Sequence, residues 1–140
     1  MINNKLLIKK DDTLEIKIYL GVDKEDRLLA HADKPKLLES GAVVTPEDEL
    51  LVVTMFFRKP SYKDEVDVIG SALSQKVDAT GESFSINPAA IKYSRFIQLF
   101  TDWDLKDDEG KKIPANLDNV DSMHPALAGA AIEALEEALQ

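Results

Sequence analysis

Cysteine is missing from the chain. That absence excludes disulfides, thiolate metal sites and thiol catalysis. Glycine is scarce, with six in 140 residues, and none are grouped as G-x-G-x-x-G or placed before Lys-Ser or Lys-Thr, so no phosphate-cradling loop is expected. Basic residues are in the minority: 17 Lys and Arg stand against 26 Asp and Glu, a net charge of −9. Nucleic-acid binding rests on clustered cations that displace phosphate counterions. Here the cations occur only as the short spots Lys9-Lys10, Arg58-Lys59 and Lys111-Lys112. Such a surface favours basic protein partners over nucleic acid. No apolar run approaches the roughly 18 to 20 residues a membrane helix needs. Leu6-Leu7-Ile8 is followed at once by Lys9-Lys10-Asp11-Asp12, so no secretory leader is expected and a cytoplasm is the simplest location.

What is present suits one globular domain, or a domain with an extended arm. The apolar fraction of 44% is too high for general disorder and enough for a core. Leu14, Ile16, Ile18 and Leu20 alternate with Glu15, Lys17 and Tyr19. That period of two predicts a half-buried strand, and Asp11-Asp12 before it suggests the turn of a β-hairpin over residues 5–20. Residues 23–42 are polar and indistinct, with Lys34-Pro35 expected to break any helix and Ser40-Gly41 to turn. Thr45-Pro46-Glu47-Asp48 resembles a helix start, but it runs directly into the valine- and aromatic-rich Leu50 to Phe57. The expectation is a turn over Thr45 to Glu49 and then a central strand.

After Lys59-Pro60 the period lengthens. Ser61 is suited to cap a helix whose first turn holds Asp64 and Glu65. Tyr62, Val66, Ile69, Leu73 and Val77 recur at spacings of three and four and predict its apolar face, with Thr80-Gly81 as its end. Asn87-Pro88 opens a second helix by cap and proline. Its Tyr93, Phe96, Ile97 and Phe100 form an aromatic stripe that reaches Trp103. Such a stripe is expected in a core, although aromatic anchors also dominate interfaces. His124-Pro125 starts a last helix over residues 125–139. There Leu127, Ala131, Ala134, Leu135 and Ala138 make a narrow face of small side chains, open to close approach by another helix. Glu133, Glu136 and Glu137 lie on the solvent side.

The fold class expected is α+β: an N-terminal β-hairpin and a central strand forming a small antiparallel sheet, followed by a C-terminal bundle of about three helices. Residues 1–58 are the β-rich part and residues 59–140 the helical part.

Templates for chemistry do not fit, and the chain is expected not to be an enzyme. Asp104 to Pro114 invites a calcium reading, but a calcium loop begun at Asp104 would place Lys106 at position three, Glu109 at six and Ala115 at twelve. Those positions require oxygen donors, glycine and glutamate. A β-turn with a solvated acidic tip fits better. His31 and His124 are far apart, without the neighbours of a ligand set. Gly81-Glu82-Ser83-Phe84-Ser85 lacks the closing glycine of a nucleophile elbow. Carboxylates occur as solvated clusters such as Asp107-Asp108-Glu109 and Glu136-Glu137. No catalytic residue, metal ligand or cofactor site is assigned.

The order of features over residues 50–140 resembles a known group. A strand ends in Phe57-Arg58-Lys59-Pro60; an acidic helix, the Asn87-Pro88 helix and Trp103-Asp104-Leu105 follow. Then come the Asp-rich turn with Gly110, Ile113-Pro114, Leu117-Asp118-Asn119-Val120 and Met123-His124-Pro125. This is similar to small proteins encoded among tailed-bacteriophage structural genes, grouped as tail assembly chaperones or tail-tube-associated proteins. The resemblance implies a non-enzymatic morphogenesis protein in the host cytoplasm. It would bind a tail component, such as a tape-measure or tube subunit, and keep it from premature aggregation. On that implication Phe96, Phe100 and Trp103 are the docking candidates, supported by Leu127 and Leu135. The alternative is a permanent virion subunit of tail, neck or capsid, its N-terminal strands joining a neighbour's sheet. A homo-oligomer is compatible with either; nucleic acid and membrane are not expected partners.

Overall fold

The computed structural model of the chain describes residues 5–9, 11–74 and 87–140. The expected helix end at Thr80-Gly81, Val77 on the predicted apolar face, Lys10 of the first basic spot and the Gly81 to Ser85 segment lie outside the described residues.

The fold is α+β with a four-stranded antiparallel sheet. Its strands are β1 (Thr13–Val22), β2 (Leu28–His31), β3 (Leu51–Arg58) and β4 (Phe100–Trp103), in the order β2-β1-β3-β4. The helices are α1 (Lys34–Glu39), α2 (Tyr62–Ser74), α3 (Pro88–Leu99), α4 (Leu117–Asp121) and α5 (Pro125–Ala138), with a 3₁₀ turn at Glu47–Glu49. The chain groups into two compact units. One comprises residues 1–14 and 57–100; the other comprises residues 15–56 and 101–140. The first unit holds α2 and α3 with only the ends of β1, β3 and β4, and the second holds the rest of the sheet with α1, α4 and α5.

In the first unit α2 packs against α3. Ser61 Oγ accepts the Asp64 N–H while Asp64 Oδ2 accepts the Ser61 N–H, a reciprocal cap that starts α2 where the sequence placed it. Asn87 caps α3 through the Ala89 N–H, with Pro88 in the first turn. Val68, Ala72, Phe96, Leu99 and Phe57 fill the core. The Phe57 ring meets Phe96 and Phe100 edge-on, at 5.1 and 5.8 Å between centroids. Phe96 and Phe100 stack at 5.7 Å.

The second unit is built on the inward residues of the sheet. Ile16, Ile18 and Leu20 of β1, Val53 and Met55 of β3 and Trp103 of β4 are buried, as are Leu37, Val120, Leu127, Ala131 and Leu135 of the helices. The alternation read from Leu14 to Leu20 is thus realised, but the hairpin is a different one. β1 pairs with β2, Val22 opposite Leu28 and Tyr19 opposite His31, and it is an inner strand of the sheet rather than an arm. The turn falls at Asp23 to Arg27, not at Asp11-Asp12. Asp23 Oδ1 accepts the N–H groups of Glu25 and Arg27, and Asp26 takes the left-handed conformation at φ 61°. The acidic tip at Asp107 to Lys111 repeats this device: Asp107 Oδ1 accepts from Glu109 and Lys111, and Gly110 has φ 79°. Three-residue hairpin loops place a residue with positive φ at that position.

Further expectations are corrected. Pro35 does not break a helix; it sits in the first turn of α1, where its missing N–H is unneeded, behind the Asp33 cap. Phe100 to Trp103 leaves the helical stripe and forms β4, because Phe100 already adopts extended backbone at φ −61°, ψ 132°. The small-residue face of α5 does not join a three-helix bundle; α5 packs on β2. Gly21 is required by a close approach. A Cβ there would lie 2.9 Å from both Leu50 Cδ2 and Val43 Cγ1.

Candidate interaction surfaces

The buried face of α2 is not the one its apolar periodicity suggested. Asp64, Val68 and Ala72, spaced by four, turn inward, while Tyr62 is 85%, Val66 49% and Ile69 44% exposed. Asp64 turns inward because its carboxylate finds a full set of donors. Arg58 Nη1 and Nη2 reach its two oxygens at 3.1 Å each, with Ser61 N at 2.9 Å, Ser61 Oγ at 3.1 Å and Gln98 Nε2 at 3.1 Å. Arg58 Nη2 also donates to the Gln98 carbonyl at 2.9 Å. The Arg58 guanidinium, against the cost of burial and with help from Ser61 and Gln98, holds Asp64 well below the usual carboxylate range. Arg95 adds a paired contact to Glu65, Nη2 to Oε2 at 3.1 Å. These polar ties between α2 and α3 fix the rotation of α2. The Tyr62, Val66 and Ile69 stripe is left in solvent.

The sequence-derived docking candidates fall elsewhere. Phe96 is buried in the first unit, stacked on the half-buried Phe100. Trp103, Leu127 and Leu135 are buried in the second unit, and Trp103 Nε1 donates to the Ile113 carbonyl at 2.7 Å. Four of the five side chains are therefore occupied by the packing of their own unit. Of the side chains expected in the core of α2, Tyr62, Val66 and Ile69 are exposed and Leu73 is half-buried.

Two grooves of the second unit border the sheet. One, of about 500 Å³, runs from Leu51 and Val52 to the acidic loop at Asp104 to Gly110. Asp104 is held there, accepting the Thr54 N–H at 2.7 Å while its own N–H donates to the Thr54 carbonyl at 3.0 Å. Asp102 of β4 pairs with Lys112, whose Nζ lies 2.7 Å away and holds that carboxyl below its ordinary range. The other groove, of about 700 Å³, lies between β1 and the last turns of α5.

The histidines serve helix starts and turns. His124 Nδ1 accepts the Ala126 N–H and caps α5, as its place before Pro125 implied. His31 Nδ1 accepts the Asp33 N–H at 2.8 Å. Among the described residues, no three His, Cys, Asp or Glu side chains are grouped so as to hold a metal ion, and no helix is long and apolar enough to cross a membrane. No family model, curated protein sequence or solved structure matches the chain.

Proposed function

We propose that this chain is a non-enzymatic morphogenesis protein of a tailed bacteriophage, acting in the host cytoplasm as a tail assembly chaperone. The observation that carries the docking role is the outward apolar stripe of α2, Tyr62, Val66 and Ile69. Apolar side chains aligned along one helix face suit a partner's hydrophobic segment. The resemblance over residues 50–140 supports a tail component, such as a tape-measure or tube subunit, as that partner. The histidines and the buried Asp64 are engaged in caps and ion pairs that support the fold, which accords with binding rather than catalysis.

Val66→Asp combined with Ile69→Asp tests the reading. The double variant should keep its far-UV circular dichroism, since both side chains are exposed, and should lose capture of the tail component by at least about ten-fold. Undiminished capture by a folded variant would remove α2 as the docking face.

A second reading, a subunit incorporated in the virion, is favoured by the exposed Leu6, Leu7 and Ile8 ahead of β1. In this reading those residues, rather than a whole hairpin, are what the chain offers a neighbour.

A further inference from the structure

β1 is ten residues long, but β2 pairs only with its Tyr19 to Val22 portion. Among the described residues, no strand lies beside the earlier part of β1 on that edge. Successive residues of a strand point their N–H and C=O groups to opposite edges. The Val22 carbonyl accepts from Val44, on the side away from β2, whereas the Asp23 N–H donates to Arg27, on the β2 side. At the other end the Asp12 carbonyl accepts from Lys59, again away from β2. Both ends give the same parity, so the main-chain groups of Glu15 and Lys17 face the open edge. They face the groove of about 700 Å³ whose opposite wall includes Ala134 and Ala138 of α5.

An open edge is a template for another strand, and charged side chains commonly guard it. Here the charges are self-complementary. If a second copy lies antiparallel with its Ile16 beside this Ile16, Glu15 stands opposite the second copy's Lys17, and Lys17 opposite the second copy's Glu15. Opposite charges directly across a strand pair are favourable, and like charges are not. The same register joins residues whose main-chain groups already point at each other. Two-fold symmetry then satisfies both copies with one contact. Among the described residues neither Glu15 nor Lys17 makes an ion pair within the chain, and both are exposed. On the α5 side the groove is lined by Ala134 and Ala138, with Glu137 between them in sequence.

We propose that the β1 edge at Glu15 to Lys17 is a self-association surface that joins two copies of this chain by antiparallel strand pairing about Ile16. The inference rests on strand register and charge, and does not depend on the tail-chaperone reading or on the α2 stripe.

Analytical ultracentrifugation of the full chain over the micromolar range tests it. The unaltered chain should show a monomer–dimer equilibrium. Lys17→Glu alone and Glu15→Lys alone should each weaken the dimer by on the order of ten-fold, because each sets like charges opposite one another. The combined Glu15→Lys and Lys17→Glu chain restores the pairing and should recover the original constant. Circular dichroism of all the chains controls for folding. A monomer at every concentration would overturn the proposal and leave the charges as guards of the edge. A dimer indifferent to the single changes, or not rescued by the exchange, would overturn it too.

Discussion

Trp103→Ala should remove about 3–5 kcal/mol of stability, the cost of emptying a large aromatic site in a core. Trp103 is 1% exposed on β4, and its indole N–H is bonded to the Ile113 carbonyl. Truncation leaves both a cavity and a carbonyl without its donor, two penalties that fall on the same site. Against a total of about 5–15 kcal/mol for an ordinary domain, that is a large share. Urea unfolding followed by circular dichroism should show a marked fall in midpoint. The chain holds one tryptophan, so fluorescence of the unaltered protein reports on this site alone and should be shielded from soluble quenchers. A variant with an unchanged midpoint would return Trp103 to the role of a docking side chain, dispensable for the fold.

Asp64→Asn should cost about 2–3 kcal/mol, less than for a fully buried pair because the Arg58 side chain is partly exposed. The amide keeps the shape of the carboxylate but leaves Arg58 without its counter-charge. It also cannot accept with both oxygens from Arg58, Ser61 and Gln98. The pH dependence gives a second signature. Asp64 titrates below its ordinary value of 3.8 in the folded chain, so the unfolded chain takes up the proton first. Its stabilisation is fully present above about pH 5 and is lost progressively as pH falls below about 4 toward the folded value. Stability measured from pH 6 downward should therefore fall less steeply in Asp64→Asn than in the unaltered chain. Parallel curves would show that the Arg58 pair contributes nothing to folding.

Much of the local grammar was legible. The alternation at Ile16, Ile18 and Leu20, the turn before β3, the caps at Ser61, Asn87 and His124 and the acidic turn ending in Gly110 all appear in the structure. Each depends on residues within a few positions of one another, where propensity and capping act. The features that escaped depend on residues far apart. β2 is four residues long, too short to show a period, and is defined by pairing with β1. β4 follows α3 with no glycine or proline between them, so the aromatic spacing ran on through a change of backbone that only the partner strand dictates.

The candidate surface was the least legible. Both lines along α2 carry apolar residues, and Tyr62, Val66 and Ile69 outweigh Val68 and Ala72 in bulk. What decides the orientation is Asp64, which would be costly to bury alone and becomes favourable to bury only beside Arg58 from β3 and Gln98 from α3. A carboxylate on the inward line was the available clue, but its partners lie 6 and 34 positions away. The aromatic residues Phe96 and Trp103, attractive as anchors by type alone, proved to be the centres of their own cores.

Quantitative mass spectrometry of purified phage particles beside the infected-cell lysate tests the assembly-factor reading most directly. The chain should be abundant in the lysate and absent from the finished particle; stoichiometric copies in the particle would contradict a chaperone and make it a structural subunit.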